Sequence, residues 1–157
     1  MATMESMTYD ELEVGTQASF TKQLTDDDII MFATTSGDVN PVHLDDEYAK
    51  TTMFKGRIAH GMWSAGLISA TLATVMPGPG TVYLGQNLSF RLPVKIGDTL
   101  TVTLTIKEKL DDKKNLVIDC KVVNQDDKLV VTGDAKVMPP REKMQLEVPV
   151  LPEITIA

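Results

Sequence analysis

Histidine and cysteine are nearly missing from this chain: there are two of the first and one of the second among 157 residues. A lone cysteine, Cys120, cannot close an intrachain disulfide or supply the paired thiolates of a structural zinc site. Basic clusters are missing too. Lys and Arg number 15 against 22 Asp and Glu, a net charge of -7, and no run of cations is present to displace the counterions of a nucleic acid or to hold an anionic membrane. Long apolar runs are also wanting. The best candidate, "HGMWSAGLISATLATVM", carries Ser and Thr throughout and stops at "PGPG", short of the roughly 20 strongly apolar residues that a membrane span needs. The opening "MATMESMTYDEL" has neither the basic start nor the apolar stretch of a secretory signal, so the cytoplasm is the expected compartment. No internal repeat or low-complexity segment breaks the chain.

What remains is enough for one folded domain. With 43% hydrophobic and 24% charged residues, the chain can bury a sizeable core, and its length fits a single unit. We expect a core over about 10–138. The tail at 139–157 is not expected to continue the sheet, because four prolines fall among the last 20 residues and proline withholds a ladder donor. In "LTDDDIIMFATTSGD", Thr25 reads as an N-cap, Asp26 to Asp28 oppose the helix dipole and Gly37 suits the left-handed stop, predicting a helix over 26–36. A short helix is expected near 45–52. From Gly61 to Val75 small residues recur at helical spacing with no charge, which predicts a helix enclosed by protein. The second half supplies the enclosure. "DTLTVTLTIKEKL" alternates threonine with Leu100, Val102, Leu104 and Ile106, the period of a strand with one dry face. "LVIDCKVVNQ" and "LVVTGDAKVM" follow across polar turns, with "TVYLGQNLSFRLPV" and "QASFTKQL" as further strands. The class is α+β: a curved antiparallel sheet wrapped around a long central helix.

Chemistry concentrates in "GDVNPVH", where Asp38 and His43 flank a connection that Pro41 should keep from being helical. A carboxylate beside an imidazole orients it and leaves one nitrogen to move a proton near neutral pH. An Asx-turn at Asp38 with an ordinary polar histidine explains the spacing as well. A metal site is disfavoured: Asp38, His43, Asp45, Asp46 and Glu47 lack the spacing of a calcium loop, and neither a second histidine at i+4 nor a cysteine pair completes a zinc set. Gly61 opens the central helix, so its free amide could polarise a carbonyl, although Gly61 and Gly66 could equally serve close packing.

Taken together, "SGDVNPVHLDDEYAKTT", "IAHGM" with its small-residue helix, and "VYLGQNLSFRLPVKIGDTL" resemble the MaoC-like dehydratases of the hot-dog fold, and most closely the (R)-specific enoyl-CoA hydratases. The resemblance runs from about residue 25 to 138. It implies that Asp38 and His43 activate a water for syn addition to a trans-2-enoyl thioester, with the Gly61 amide as oxyanion donor. It implies no metal and no cofactor, coenzyme A being part of the substrate, and a homodimer formed by joining two sheets edge to edge. Ser69 falls where the family often has a serine near the aspartate, His60 borders the site, and Asn40 is a candidate for positioning the water. Met62, Trp63, Leu67 and Leu84 are expected on the acyl cavity wall. Lys55, Arg57 and Arg91 lie beside the matching segments and are candidates for the CoA phosphates, which the net charge would otherwise repel. The alternatives are the same dehydration on an acyl carrier protein thioester and a non-catalytic acyl-thioester-binding subunit. A thioesterase is disfavoured, because hot-dog thioesterases usually carry their carboxylate on the buried helix, which here has no Asp or Glu.

Overall fold

The computed structural model describes residues 1–157. In chain order its elements are β1 (Thr3–Glu5), β2 (Gln17–Gln23), α1 (Asp26–Ser36), α2 (Pro41–Leu44), α3 (Asp46–Lys50), α4 (Gly61–Thr74), β3 (Val82–Phe90), β4 (Thr99–Leu110), β5 (Asn115–Val123), β6 (Leu129–Met138) and β7 (Gln145–Glu147). The main sheet runs β2-β4-β5-β6-β3, with every neighbouring pair antiparallel. This is the hot-dog arrangement, an α+β fold in which the sheet curves around α4.

The alternation in β4 explains the two faces of the sheet. Leu100, Val102, Leu104 and Ile106 are buried, whereas the intervening threonines are half-covered and meet polar partners such as the Thr21 hydroxyl, 3.1 Å from that of Thr101. Register shifts at Ile106/Glu108, Val122/Val123 and Tyr83/Gly85 bend the strands. Bulges of this kind increase local twist, which lets the dry face close over a helix.

On α4 the buried residues are Trp63, Ser64, Leu67, Ile68, Thr71 and Leu72. They recur at i, i+1, i+4 and i+5, two adjacent columns that form one face against β2 and β4. The opposite side is bare: Met62 is 57% exposed and Gly66 is exposed. The expectation of an enclosed helix therefore holds for only one face within a single chain.

One further local expectation needs correction, and another holds with an addition. The connection after Asp38 is helical in part, since Pro41 occupies the first position of α2 behind an Asn40 cap. Proline fits there because that amide has no intrahelical partner to lose. The tail is tied back to its own N-terminus, with β7 pairing antiparallel to β1 and Lys143 2.9 Å from Glu11. It stays out of the main sheet but builds a small one.

Gly133 sits opposite Leu88 in the β6–β3 ladder, where an added Cβ would lie 1.9 Å from the Asn87 carbonyl oxygen. Backbone cannot yield there without opening the ladder. We expect Gly133→Ala to lower stability by at least about 2 kcal/mol in denaturant unfolding. Burial pushes the Cys120 thiol up to about 11. The thiolate is the reactive form, so a disulfide reagent at pH 8 should leave Cys120 unmodified in the folded chain and label it after denaturation.

Candidate active site

The loop that carries the two acid–base candidates is built from capping interactions. Thr25 and Asp28 form a reciprocal capping box at the start of α1, and Gly37, at φ 82°, ends the helix in the left-handed region. The chain then reverses through Asp38. Its Oδ1 accepts the Asn40 amide at 3.1 Å, an Asx-turn, while Asn40 Oδ1 accepts the Val42 amide at 3.2 Å to start α2. His43 falls in the last turn of α2 and is buried. Turn and acid–base pair are thus compatible readings of Asp38, because the turn uses Oδ1 and leaves Oδ2 toward His43.

His43 Nδ1 lies 2.8 Å from the Ile58 carbonyl oxygen. A carbonyl can only accept, so Nδ1 carries the proton and Nε2 of the neutral ring presents a lone pair. That nitrogen is 3.8 Å from Asp38 Oδ2, too far for a direct hydrogen bond. Two acceptors face one another across this gap. A water molecule, with two O–H donors, can satisfy both at once.

The segment entering α4 is strapped on both sides. The Ile58 amide donates to the Val42 carbonyl at 3.4 Å and the Ala59 amide to the Val94 carbonyl at 2.8 Å. Next comes His60, 2% exposed, whose Nε2 donates to the Asp38 main-chain carbonyl at 2.9 Å. Its ring stacks on His43 with centroids 3.8 Å apart and on Phe32 in a tilted contact at 4.8 Å. His60 Nδ1 is buried without a partner, an arrangement that costs roughly 1–3 kcal/mol. Gly61, the first residue of α4, has an amide with no acceptor in the protein. A Cβ there would come 2.9 Å from Phe90 Cε1. The absent side chain lets the Phe90 ring pack against the helix start, and the bare amide is a donor available to a carbonyl there.

A cavity of about 400 Å³ joins these groups, with Asp38, His60, Gly61, Phe32, Met62 and Phe90 among its walls. His43 is not among the lining residues and reaches the cavity wall through its contacts with Asp38 and His60. A second cavity of about 290 Å³ shares His60, Gly61 and Phe90 and includes Ser64, Arg91 and Val131. Met62, Ser69 and Leu84 line a third, open groove of about 530 Å³ between α4 and β3.

The sequence candidates are distributed unevenly over this geometry. Asp38, His43, His60 and Gly61 converge, and Asn40 caps α2 next to them. Ser69 lies along α4 in the open groove. Trp63 and Leu67, expected on the acyl cavity wall, belong instead to the hydrophobic core; their positions fall on the buried columns of α4, which face the sheet. Arg57 is committed internally: Nε donates to the His43 carbonyl at 2.7 Å and an Nη to Asp26 at 2.6 Å. Lys55 and Arg91 are exposed, Arg91 reaching the Thr132 hydroxyl at 3.3 Å. Phe32, Ile58 and Phe90 are neighbours of the site that sequence reasoning missed, since none carries a reactive group.

Asp38, His43 and His60 also bring three potential metal-ligating atoms within 4.8 Å of one another. The stacked imidazoles argue against that use. Rings 3.8 Å apart and inclined by 25° hold their in-plane lone pairs in nearly parallel planes, whereas a shared zinc would need both nitrogens about 2.0–2.1 Å from one ion.

The fold is hot-dog, and the relatives that share it are named hydratases and dehydratases, which makes the enzyme class a hydro-lyase. The chain belongs to the MaoC-like family: the MaoC like domain model matches residues 11–128. It is 46% identical over 134 residues to the (R)-specific enoyl-CoA hydratase of Rhodospirillum rubrum, covering 84% of this chain and 91% of that one. The unliganded R-hydratase PhaJ1 structure from Pseudomonas aeruginosa superposes with a TM-score of 0.95 at 51% identity, over 99% of this chain and all of that one (100%). A mitochondrial 3-hydroxyacyl-acyl-carrier-protein dehydratase of Solanum lycopersicum is more distant, 32% identical over 136 residues, or 85% of this chain and 81% of that protein.

The contacts of Arg57 make a discriminating substitution. Arg57→Ala should lower stability by roughly 1.5–3 kcal/mol, the range for hydrogen bonds to charged groups, in thermal or denaturant unfolding. A KM for CoA substrate within a few-fold of wild type would accompany a clamping role. A large KM rise at unchanged stability would instead make Arg57 a phosphate ligand.

Proposed function

We propose that this chain is an (R)-specific enoyl-CoA hydratase, which reversibly adds water to trans-2-enoyl-CoA to give (3R)-hydroxyacyl-CoA. The observation that carries the reading is the pair of opposed acceptors, His43 Nε2 and Asp38 Oδ2, 3.8 Å apart, held next to the free amide of Gly61. The similarity to named (R)-hydratases supports the same reaction.

In this mechanism the water donates one O–H to Asp38 and the other to His43, and its oxygen lone pair faces the β-carbon of the enoyl group. As the new C–O bond forms, a proton passes to the pair. The electrons of the double bond move to the thioester oxygen, where the Gly61 amide stabilises the enolate. Return of one proton from the pair to the α-carbon, on the same face, completes syn addition and restores the site. No redox step or resident cofactor is needed, and coenzyme A enters only as part of the substrate. The same residues run dehydration in reverse.

The fold leaves β3 as an edge strand with Val82, Tyr83, Leu84 and Phe90 exposed, beside the bare face of α4 at Met62. An unpaired edge flanked by apolar side chains favours a second copy of the chain as partner, so we assign a homodimer. Lys55 and Arg91 are the exposed cations assigned to the CoA phosphates, and substrate binding that weakens with salt is the corresponding signature. No helix is long and apolar enough to cross a membrane; the single, buried cysteine supports assignment to the reducing cytoplasm.

The test is a hydration assay on crotonyl-CoA and longer enoyl-CoAs with chiral analysis of the product, run beside the matching acyl carrier protein thioesters. An (R) product on CoA esters is expected. An (S) product overturns the proposal, and activity confined to the carrier-protein ester moves the chain to the dehydratase class. Asp38→Asn and His43→Ala should each lower kcat at least about 100-fold while the far-ultraviolet dichroism of the fold persists.

A further inference from the structure

We infer that His60 is a positioning residue that registers all three parts of the proposed active site to one another. The inference rests on the assignment of Asp38, His43 and Gly61 given above and extends it to a group with no proton-transfer role. His60 Nε2–H holds the Asp38 main chain at 2.9 Å, and its ring stacks on His43 at 3.8 Å. Its own carbonyl carbon is bonded to the Gly61 nitrogen. One residue therefore meets the carboxylate-bearing turn and the base through its side chain and the oxyanion donor through its main chain.

The local chemistry gives His60 a definite form. Because its Nε2 faces a carbonyl, the proton resides there and Nδ1 remains bare. That buried, unpartnered nitrogen is a defect that an apolar ring of similar shape would remove, so stability alone does not account for a histidine. A flat side chain with a donor at the position of Nε2 is what the site requires. Phenylalanine would retain the plane and lose the donor; glutamine would retain an N–H and lose the aromatic face. His60 also starts α4 without capping it through its side chain, so the ring is free to serve the turn across from it.

The role predicts a loss in kcat rather than in substrate affinity. A displacement of order 1 Å in a reacting group lowers rate about 100-fold, and the Asp38–His43 gap depends on both anchors. With the purified full-length chain and crotonyl-CoA, His60→Ala should reduce kcat about 10- to 100-fold with little change in KM. His60→Gln and His60→Phe, each retaining one anchor, should recover part of that loss. Imidazole nitrogen NMR gives a readout independent of turnover: the Nδ1–H form of His43 should be sharp in the wild type and exchange-broadened in His60→Ala.

Asp38→Asn serves as the control that separates the two assignments. If it is inactive while His60→Ala retains wild-type kcat, the positioning role falls and the catalytic pair stands. A rise in KM at constant kcat also overturns it, making His60 a substrate contact. If Asp38→Asn keeps full turnover, the pair itself is misassigned, and an unchanged His43 spectrum in His60→Ala removes the positioning role as well. Should His60→Ala not fold, full wild-type kcat in both the Gln and Phe variants overturns the inference.

Discussion

The hydrogen bond from His43 Nδ1 to the Ile58 carbonyl, 2.8 Å long, is the constraint from which the chemistry of the site follows. It selects the imidazole tautomer, turns the opposite nitrogen toward Asp38 and fastens α2 to the segment that enters α4. Without it, the ring could present either nitrogen and rotate about χ1. In the proposed mechanism the base is thereby prepared before substrate arrives, the condition under which electrostatic and proton-transfer catalysis cost no reorganisation at the moment of reaction.

Behind that bond stands a division of labour between rigid and local structure. The sheet buries the aliphatic side of β4 and β5 and one face of α4, which places the helix start at a definite height above the sheet. The Ala59–Val94 hydrogen bond, 2.8 Å, then holds the segment leading into that helix to the sheet side of the molecule. Asp38 and His43 are supplied by a loop that would be mobile alone, but Asx, cap and stacking interactions all converge on it. Catalytic precision thus comes from small contacts mounted on a large apolar core.

The acidic balance of the chain and the anionic character of coenzyme A are reconciled by distribution rather than total charge. Asp26 is paired with Arg57 and Asp28 lies 3.6 Å from Lys22, which lowers the negative field around the α1–α2 end of the molecule. Glu11 is paired with Lys143 at the tail; that hydrogen bond holds the Glu11 carboxyl below its ordinary range and raises the Lys143 ammonium. Of these, the Glu11–Lys143 pair is exposed on both sides and of small energetic weight. Among the cations outside these pairs are Lys55 and Arg91, the two that the proposed function assigns to the CoA phosphates.

Patterns of short range were legible in the amino-acid order: the Thr25 cap and Gly37 stop of α1, the period-two alternation of β4, the small-residue helix and the Asp38–His43 spacing. Each depends on contacts within a few residues or on a periodicity that one element imposes by itself. The three linked motifs also carried the family, and with it the sheet wrapped on a helix. Tertiary structure alone decided which face of α4 was dry, and so sent Trp63 and Leu67 into the core while leaving Met62 on the cavity side. It also spent Arg57 on Asp26 and the His43 carbonyl, folded the proline-rich tail onto β1, and brought Phe90 over Gly61. Those outcomes depend on which distant surfaces meet. Nothing in the order of neighbouring residues encodes the distance between Asp38 and His60, because that distance is set by the packing of a loop against a helix that begins 23 positions later.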